Sequence, residues 1–327
     1  MSEFAIEADH LTKQYGTFTA VDDVNLRVPA GGIFGLLGPN GAGKTTIIKL
    51  LTGLADLTAG NARVAGFDVR RSPMEVKARI GWVAAEVILD DDLSAWENLW
   101  LQAKLQRLTD WQERASELLR YFSLEDRRRD KVGTFSTGMR KKLEIALALL
   151  HGPRVIFMDE PTIGLDPTTR RMLWDLITGV NREYGITIFL TSHYLEEAEA
   201  LCRRIAILDR GRIVAEGSPA ELKSRIRSEY IELETSEEIE PSRFSALAGV
   251  QEVRRQGEGW LLKVERADEV LPRVLGAVTA GRIRRLHVEG PSLESVFLEL
   301  TGRRLGPDSN EPHDYRKFYA NIRRARG

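Results

Sequence analysis

The segment from Gly38 to Thr45, GPNGAGKT, constrains this chain most, because it matches the phosphate-binding loop pattern at every fixed position. It lies between an apolar run that predicts a buried strand, Ile33 to Leu37, and a run that predicts a helix, Lys44 to Leu54. Glycines let backbone N–H groups converge on phosphate oxygens, and a helix N-terminus adds the positive end of its dipole. The loop therefore predicts a nucleotide site on an α/β fold. The residues expected to contact the nucleotide are Gly38, Pro39, Asn40, Gly41, Ala42, Gly43, Lys44, Thr45 and Thr46.

Two adjacent carboxylates, Asp159 and Glu160, follow a second apolar run, Val155 to Met158. A phosphate loop needs a metal-holding acid at the end of a neighbouring strand, and Asp159 is placed to hold Mg²⁺. Glu160 is then the base that could polarise the attacking water. Lys44 would reach the β and γ phosphates, and the Thr45 hydroxyl would ligate Mg²⁺. The pattern predicts that the chain binds ATP and Mg²⁺ and hydrolyses the ATP.

The bulk composition fits a soluble globular protein of two domains, because 327 residues exceed one ordinary core. Hydrophobic residues make up 43% and charged residues 29%, which argues against long-range disorder. The 47 basic and 48 acidic residues leave a net charge of -1, so no global field attracts nucleic acid. Cys202 is a single thiol that cannot form an internal disulfide, which favours a reducing compartment.

Neither a secretory signal nor a membrane span is predicted. Residues 1–9 carry acidic residues and lack the apolar core of a signal peptide. The longest apolar runs, such as Ile145 to Leu150, fall far short of the ~20 residues that a membrane helix needs. If this chain serves transport, another chain must supply the channel.

Strand-like and helix-like runs alternate through residues 1–224, which predicts an α/β domain with parallel strands covered on both faces. A helical insert interrupts this pattern at about residues 93–150, and Ser94 and Glu97 have the spacing of a capping box at its start. Apolar positions then repeat at helical intervals. We expect these positions in the core, with docking as the alternative for any that are exposed: Trp96, Leu99, Trp100 and Ala103.

The pattern changes after residue 224 to the order β-α-β-β-α-β, which predicts a small α+β domain over residues 225–303. Residues 304–327 predict a polar linker followed by a basic tail. The tail is either solvated and mobile or docks onto a partner or an anionic membrane surface.

Three more motifs follow in order. Phe135 to Met139 precedes a helix, Gly164 to Pro167 follows the two carboxylates, and Leu190 to His193 ends a later strand. Together with the phosphate loop, this set resembles the ABC ATPase family over about residues 4 to 225. The resemblance implies a P-loop ABC ATPase domain with a RecA-like core, whose helical subdomain is the insert.

The resemblance also implies residue roles. Tyr15 would stack on adenine, although it could be a plain exposed tyrosine at a strand end. Ser136 and Gly138 match the signature loop, which grips the γ-phosphate of the ATP bound to the opposite subunit. Asp166 would cross the dimer interface or simply cap a helix, and His193 would contact the γ-phosphate. Two copies of the chain would therefore sandwich two ATP molecules as a homodimer.

The match departs from the family pattern at two places. Thr137 and Met139 replace a glycine and a glutamine of the signature, a variation that resembles the ABC-2 export branch. Ala85 stands where the family places a glutamine that contacts Mg²⁺ and the attacking water. Glu86 follows and is either an ordinary surface acid or a replacement ligand. We therefore expect weaker or differently coupled hydrolysis.

Residues Pro291 to Gly302 resemble the end of an accessory domain in ABC-2 exporter ATPases of the daunorubicin-resistance kind. This resemblance implies a motor subunit that drives a separate membrane permease from the cytoplasmic face of the membrane. The alternatives are a soluble ABC ATPase of translation or repair and an ATP sensor. One phosphate loop, no long coiled coil and no broad basic face argue against the first, and Glu160 argues against the second.

Overall fold

The computed structural model describes residues 3–85, 89–225, 229–236, 239–256, 259–278, 283–290 and 292–301. The predicted linker and tail at 304–327 lie outside these ranges, as does Glu86. The chain divides into two compact units after Pro219, whereas the sequence places its boundary after Ser224.

The first unit combines strands and helices in alternation. Its strands are β1 (Phe4–Tyr15), β2 (Phe18–Pro29), β3 (Ile33–Leu37), β4 (Ala59–Val64), β5 (Phe67–Asp68), β6 (Ile80–Val83), β7 (Val155–Asp159), β8 (Thr187–Ser192), β9 (Arg204–Asp209) and β10 (Arg212–Gly217). Its helices are α1 (Lys44–Leu51), α2 (Pro73–Lys77), α3 (Ala95–Leu105), α4 (Trp111–Tyr121), α5 (Thr137–Leu149), α6 (Pro167–Tyr184) and α7 (Leu195–Leu201), and α8 (Pro219–Ser224) begins at the division.

A six-stranded sheet in the order β10-β9-β3-β8-β7-β6 forms the centre of this unit. All neighbours except β10 and β9 pair in parallel. Every residue of β3, β7 and β8 is buried, because parallel strands of this kind are covered on both faces. A separate antiparallel sheet has the order β2-β1-β4-β5. The predicted α/β class is confirmed.

Parallel pairing brings the carboxyl ends of β3, β8, β7 and β6 to one edge of the sheet. Leu37 at the end of β3 pairs with Ser192 of β8, and Asp159 at the end of β7 pairs with Thr191. Val83 at the end of β6 pairs with Met158 of β7. Ligand sites of α/β folds lie at this edge.

The insert contains α3, α4 and α5, and the predicted capping box is present at its start. The backbone N–H and the hydroxyl of Ser94 donate to Glu97 Oε2 over 2.8 and 2.7 Å. Leu99 and Ala103 are fully buried, as expected for the core face of α3. Trp100 is 46% exposed, so the core prediction is wrong for this residue. Consecutive residues of a helix point about 100° apart, so the Trp100 side chain lies on a face adjacent to that of Leu99.

The second unit contains β11 (Glu229–Thr235), α9 (Pro241–Ser245), β12 (Val250–Gln256), β13 (Gly259–Val264), α10 (Ala267–Ala277), β14 (Ile283–Glu289) and α11 (Leu293–Thr301). The strands form an antiparallel sheet in the order β12-β13-β11-β14. Its core joins Leu233 of β11 and Leu262 of β13 to Phe244 of α9 and Val270 of α10. The predicted β-α-β-β-α-β order is confirmed.

Within the described ranges, no helix combines the length and the apolarity that crossing a bilayer requires.

Candidate nucleotide site

The phosphate loop joins β3 to α1 through glycines that no larger residue could replace without strain. Gly41 and Gly43 have φ values of 78° and 110°, in the region that favours glycine. A Cβ atom on Gly43 would lie 2.5 Å from the carbonyl oxygen of Ala20, and one on Gly38 would lie 2.5 Å from that of Leu208. The loop is therefore held tightly against the backbone on both sides. Its conformation leaves the N-terminus of α1 directly after the loop, where an anion is favoured.

Lys44 carries a buried positive charge at the start of α1. Its side chain is 5% exposed, and Nζ donates to the carbonyl oxygens of Gly38 and Pro39 over 2.7 and 3.2 Å. The same Nζ lies 3.1 Å from Glu160 Oε1. The ammonium group therefore connects the phosphate loop to the acidic end of β7.

The two carboxylates at the end of β7 have different partners. Asp159 is buried, and its Oδ1 accepts from the Thr191 hydroxyl over 2.5 Å. Glu160 has a left-handed backbone with φ 48°, and its N–H donates to Thr191 Oγ1 over 3.1 Å. Its Oε2 lies 3.0 Å from His193 Nδ1. One strand end thus presents one carboxylate to a hydroxyl and the other to a histidine and a lysine.

Glu160 is held as a carboxylate by its neighbours. Burial raises the pKa of the Glu160 carboxyl, but the hydrogen bond from His193 and the charge of Lys44 outweigh it and lower the pKa below its ordinary value. An ionised carboxylate can only accept, so His193 Nδ1 carries the hydrogen in this contact. A charged base at neutral pH is suited to orienting and polarising a water molecule.

Three further predicted residues, Thr45, Thr46 and Tyr15, are at least partly exposed. Thr45 is exposed and Thr46 half-buried in the first turn of α1. Tyr15 at the end of β1 is 50% exposed, and Lys13 Nζ lies 4.8 Å from the centre of its ring. An exposed ring is open to stacking, which leaves both interpretations of Tyr15 standing.

Ser136, Gly138 and Asp166 lie together around a cavity of about 430 Å³, which α5 and α6 line. Ser136 caps α5, and its Oγ accepts from Met139 N over 3.3 Å. Asp166 caps α6 and accepts from the N–H groups of Thr168 and Thr169 over 3.0 Å each. Hydrogen bonds from Thr169, led by its hydroxyl, hold the pKa of Asp166 below its ordinary value. The capping role of Asp166 is present, and none of the phosphate-loop residues lines this cavity.

Thr191 is a site residue to which the sequence analysis assigned no role. Its hydroxyl donates to Asp159 and accepts from the N–H of Glu160, so it holds the carboxylate of Asp159 and the backbone of Glu160. The signal in the sequence that could have identified Thr191 was its position at the end of a strand that runs parallel to β7. Ala85, where the family places a glutamine, is half-buried just after β6.

Comparison with known proteins identifies the class. The chain matches the family model described as ABC transporter over residues 21–163. Residues 217–301 match the model described as ATP-binding protein DrrA1-3-like, C-terminal domain. A solved structure titled as a dimeric post-hydrolysis state of the ATP-binding cassette MJ0796 bound to ADP and Pi is similar, with a TM-score of 0.59 and 26% identity over 65% of this chain and 98% of that chain.

Two curated relatives match nearly the whole chain. The linearmycin resistance ATP-binding protein LnrL of Bacillus subtilis (strain 168) is 38% identical over 309 residues, which are 92% of this chain and 99% of the relative. The daunorubicin/doxorubicin resistance ATP-binding protein DrrA of Streptomyces peucetius is 39% identical over 321 residues, 94% of this chain and 95% of the relative.

The fold and the family match define an ATP-binding cassette ATPase. The chain belongs to the ABC transporter family, as an ATP-binding subunit of the branch that carries the DrrA-like C-terminal domain. The alternative of a soluble ABC ATPase outside transport is not favoured.

Proposed function

We propose that this chain is the ATP-driven motor of an exporter, working as a homodimer beneath a separate membrane permease. The observation that carries the ATPase part is the cluster in which Glu160 contacts both Lys44, at 3.1 Å, and His193, at 3.0 Å. The names of the relatives, which concern resistance to linearmycin and daunorubicin, support an antibiotic-type cargo.

The chemistry that we propose follows from the residues of this cluster. Glu160 is ionised and orients the attacking water, and His193 holds the Glu160 carboxylate while remaining near the γ-phosphate. Lys44 exchanges its contact with Glu160 for the β and γ phosphates. Tyr15 stacks on the adenine ring.

The residues also fit a magnesium ion. The carboxylate of Asp159 and the accessible hydroxyl of Thr45 are hard oxygen donors of the kind that Mg²⁺ prefers. When bound, Mg²⁺ supplies charge neutralisation on the phosphate oxygens. Thr191 keeps the Asp159 carboxylate oriented for this role.

A homodimer completes the ATP site in this proposal. The cluster around Lys44 and the cavity around Ser136 are formed by different residues of the chain. In a two-fold dimer, Ser136, Gly138 and Asp166 of one copy would close over the ATP that is bound to the phosphate loop of its partner. The hydroxyl of Ser136 and the N-terminus of α5 provide groups that favour a γ-phosphate.

The dimer is tested by comparing Glu160→Gln with the double variant Ser136→Ala/Glu160→Gln. We expect the single variant to run as a dimer with ATP in size-exclusion chromatography. The double variant should bind ATP, because Lys44 is intact, and remain monomeric. A double variant that dimerises equally well would refute the role of Ser136.

We place the protein on the cytoplasmic face of the membrane through the permease, and we expect no nucleic-acid partner. The test is to purify tagged Glu160→Gln from solubilised membranes of the native host with ATP, with Lys44→Ala as the control that cannot grip phosphate. We expect a membrane protein with several spans in near-equal amount. Ribosomes, nucleic acid or no partner would instead point to a soluble ATPase.

A further inference from the structure

Lys141 and Glu144 form a buried ion pair on α5 that the ATPase cluster does not use. Their side chains are 3% and 7% exposed, and Lys141 Nζ lies 2.8 Å from Glu144 Oε2. Burying two charges costs more than an apolar pair of the same size, unless the geometry of the pair is well satisfied. A pair of this kind can specify an arrangement of the chain beyond adding stability.

The ammonium group of Lys141 has a further contact, outside its own helix. Nζ donates to the carbonyl oxygen of Ala84 over 3.1 Å, across 57 residues of sequence. An ammonium group has several donors, so one group can serve the carboxylate and the carbonyl together. Ala84 directly follows β6, and Ala85 beside it has only a methyl side chain. The segment after β6 therefore contacts α5 through the backbone carbonyl of Ala84.

Each residue of the contact between Lys141 and Ala84 lies beside a different part of the proposed ATP site. Because Val83 pairs with Met158, Ala84 leaves the sheet beside the carboxylates that end β7. At the other end, Lys141 lies on the helix that Ser136 caps, and it lines the same cavity as Ser136. One buried cation thus connects the sheet edge that carries Glu160 to the helix of the signature loop.

A second contact, between Gly81 and Ala148, also joins α5 to β6. A Cβ atom on Gly81 of β6 would lie 2.5 Å from the carbonyl oxygen of Ala148 at the far end of α5. The helix therefore contacts β6 tightly at Gly81 and reaches the end of that strand through Lys141. Two such contacts along one helix fix its direction as well as its position.

We propose that Lys141 is a positioning residue, which sets the signature loop relative to the carboxylates of its own chain by tying α5 to the carbonyl of Ala84. The proposal rests on the proposed function, in which Ser136 acts on the ATP of the partner subunit. Its consequence is that a change of Lys141 should alter the turnover of ATP by the dimer and should leave the affinity of the phosphate loop for nucleotide unchanged.

The test compares Lys141→Met, which removes the charge, with Lys141→Arg, which keeps it, and with Lys104→Met, an exposed lysine of α3, as the matched control. We expect Lys141→Met to lower kcat for ATP at least about 10-fold, while the Kd for ADP changes less than about 2-fold. Lys141→Arg should recover part of kcat, and Lys104→Met should behave as the parent protein.

A second variant separates positioning from folding. Lys141→Met alone leaves the Glu144 carboxylate without its lysine, which can destabilise the fold. Lys141→Met/Glu144→Leu removes both charges and should recover the melting temperature. Its kcat should stay low, because the contact with Ala84 is still missing.

The outcomes distinguish this inference from the proposed function. A double variant with the kcat of the parent protein would overturn the positioning role, and so would a Lys141→Met variant that loses ADP affinity and kcat together. A parent protein that neither dimerises on ATP nor hydrolyses it would refute the proposed function instead.

Discussion

Removing the charge of Glu160 should tighten nucleotide binding as well as slow hydrolysis. In the structure Lys44 Nζ lies 3.1 Å from Glu160 Oε1, and both side chains are largely buried. A phosphate that binds to Lys44 must break this ion pair. Glu160→Gln keeps the size of the side chain and replaces the ion pair with a hydrogen bond from the Lys44 ammonium group to a neutral amide oxygen, so the nucleotide should bind more tightly.

The magnitude follows from removing one of the two charges of this contact. Hydrogen bonds to charged groups contribute about 1.5–3 kcal/mol, and a bond between two charged groups lies nearer the upper end of this range than one from the same ammonium group to an amide. The Coulomb attraction between the two charges, of order 4 kcal/mol at this range, is an upper limit for the gain, because part of it is offset by the desolvation of the carboxylate. A net gain of about 1–2 kcal/mol corresponds to a Kd roughly 5- to 30-fold lower.

Titration calorimetry with ADP in magnesium-free buffer is the suitable assay. ADP retains the β-phosphate that Lys44 reaches, cannot be hydrolysed further by the proposed reaction, and lacks the γ-phosphate that would close the dimer. Glu75→Gln is the matched control, because Glu75 pairs with Arg79 on the exposed surface. An unchanged or higher Kd for Glu160→Gln would refute the competition for Lys44.

Other predictions concern the surrounding structure. Ala85→Gln should raise kcat, since it restores the amide of the family pattern, and an unchanged rate would remove the expectation of weak hydrolysis. Burial raises the pKa of Glu197 above its ordinary 4.5, so the stability of the fold should fall as pH rises above that value. Glu197→Gln should reduce this dependence of stability on pH. Its melting temperature should exceed that of the parent protein by more at pH 8 than at pH 5. Gly81→Ala should cost about 1–3 kcal/mol through its clash with Ala148, measured by urea unfolding, and a neutral result would contradict the tight packing of α5 on β6.

Contiguous motifs made the nucleotide half of the site predictable. The phosphate loop and the carboxylates each lie within a few residues, and short-range chemistry suffices to interpret them. The β-α-β-β-α-β order was also readable, because each element of the second unit has its own periodicity. The stacking of Tyr15 on adenine and the roles of Ser136 and Asp166 in a dimer stay predictions.

Contacts between distant segments were not predictable from periodicity. Thr191 meets Asp159 across 32 residues, and Lys141 meets Ala84 across 57. Nothing local to Lys141 distinguishes it from Lys142, although the former is buried and the latter is half-buried. Trp100 shows the same limit, because an apolar residue in a helical pattern does not reveal which of two adjacent faces the fold covers.

The backbone of Glu160 has an evolutionary consequence. A residue other than glycine at φ 48° holds a conformation that costs about 1–2 kcal/mol, and asparagine or glycine would relieve it. That relief opposes the loss of the carboxylate from the buried Lys44 ammonium group, so selection for heat resistance alone would place little constraint on glutamate at this position. A thermostability screen of this chain needs an activity filter, because among its survivors we expect inactive variants of residue 160.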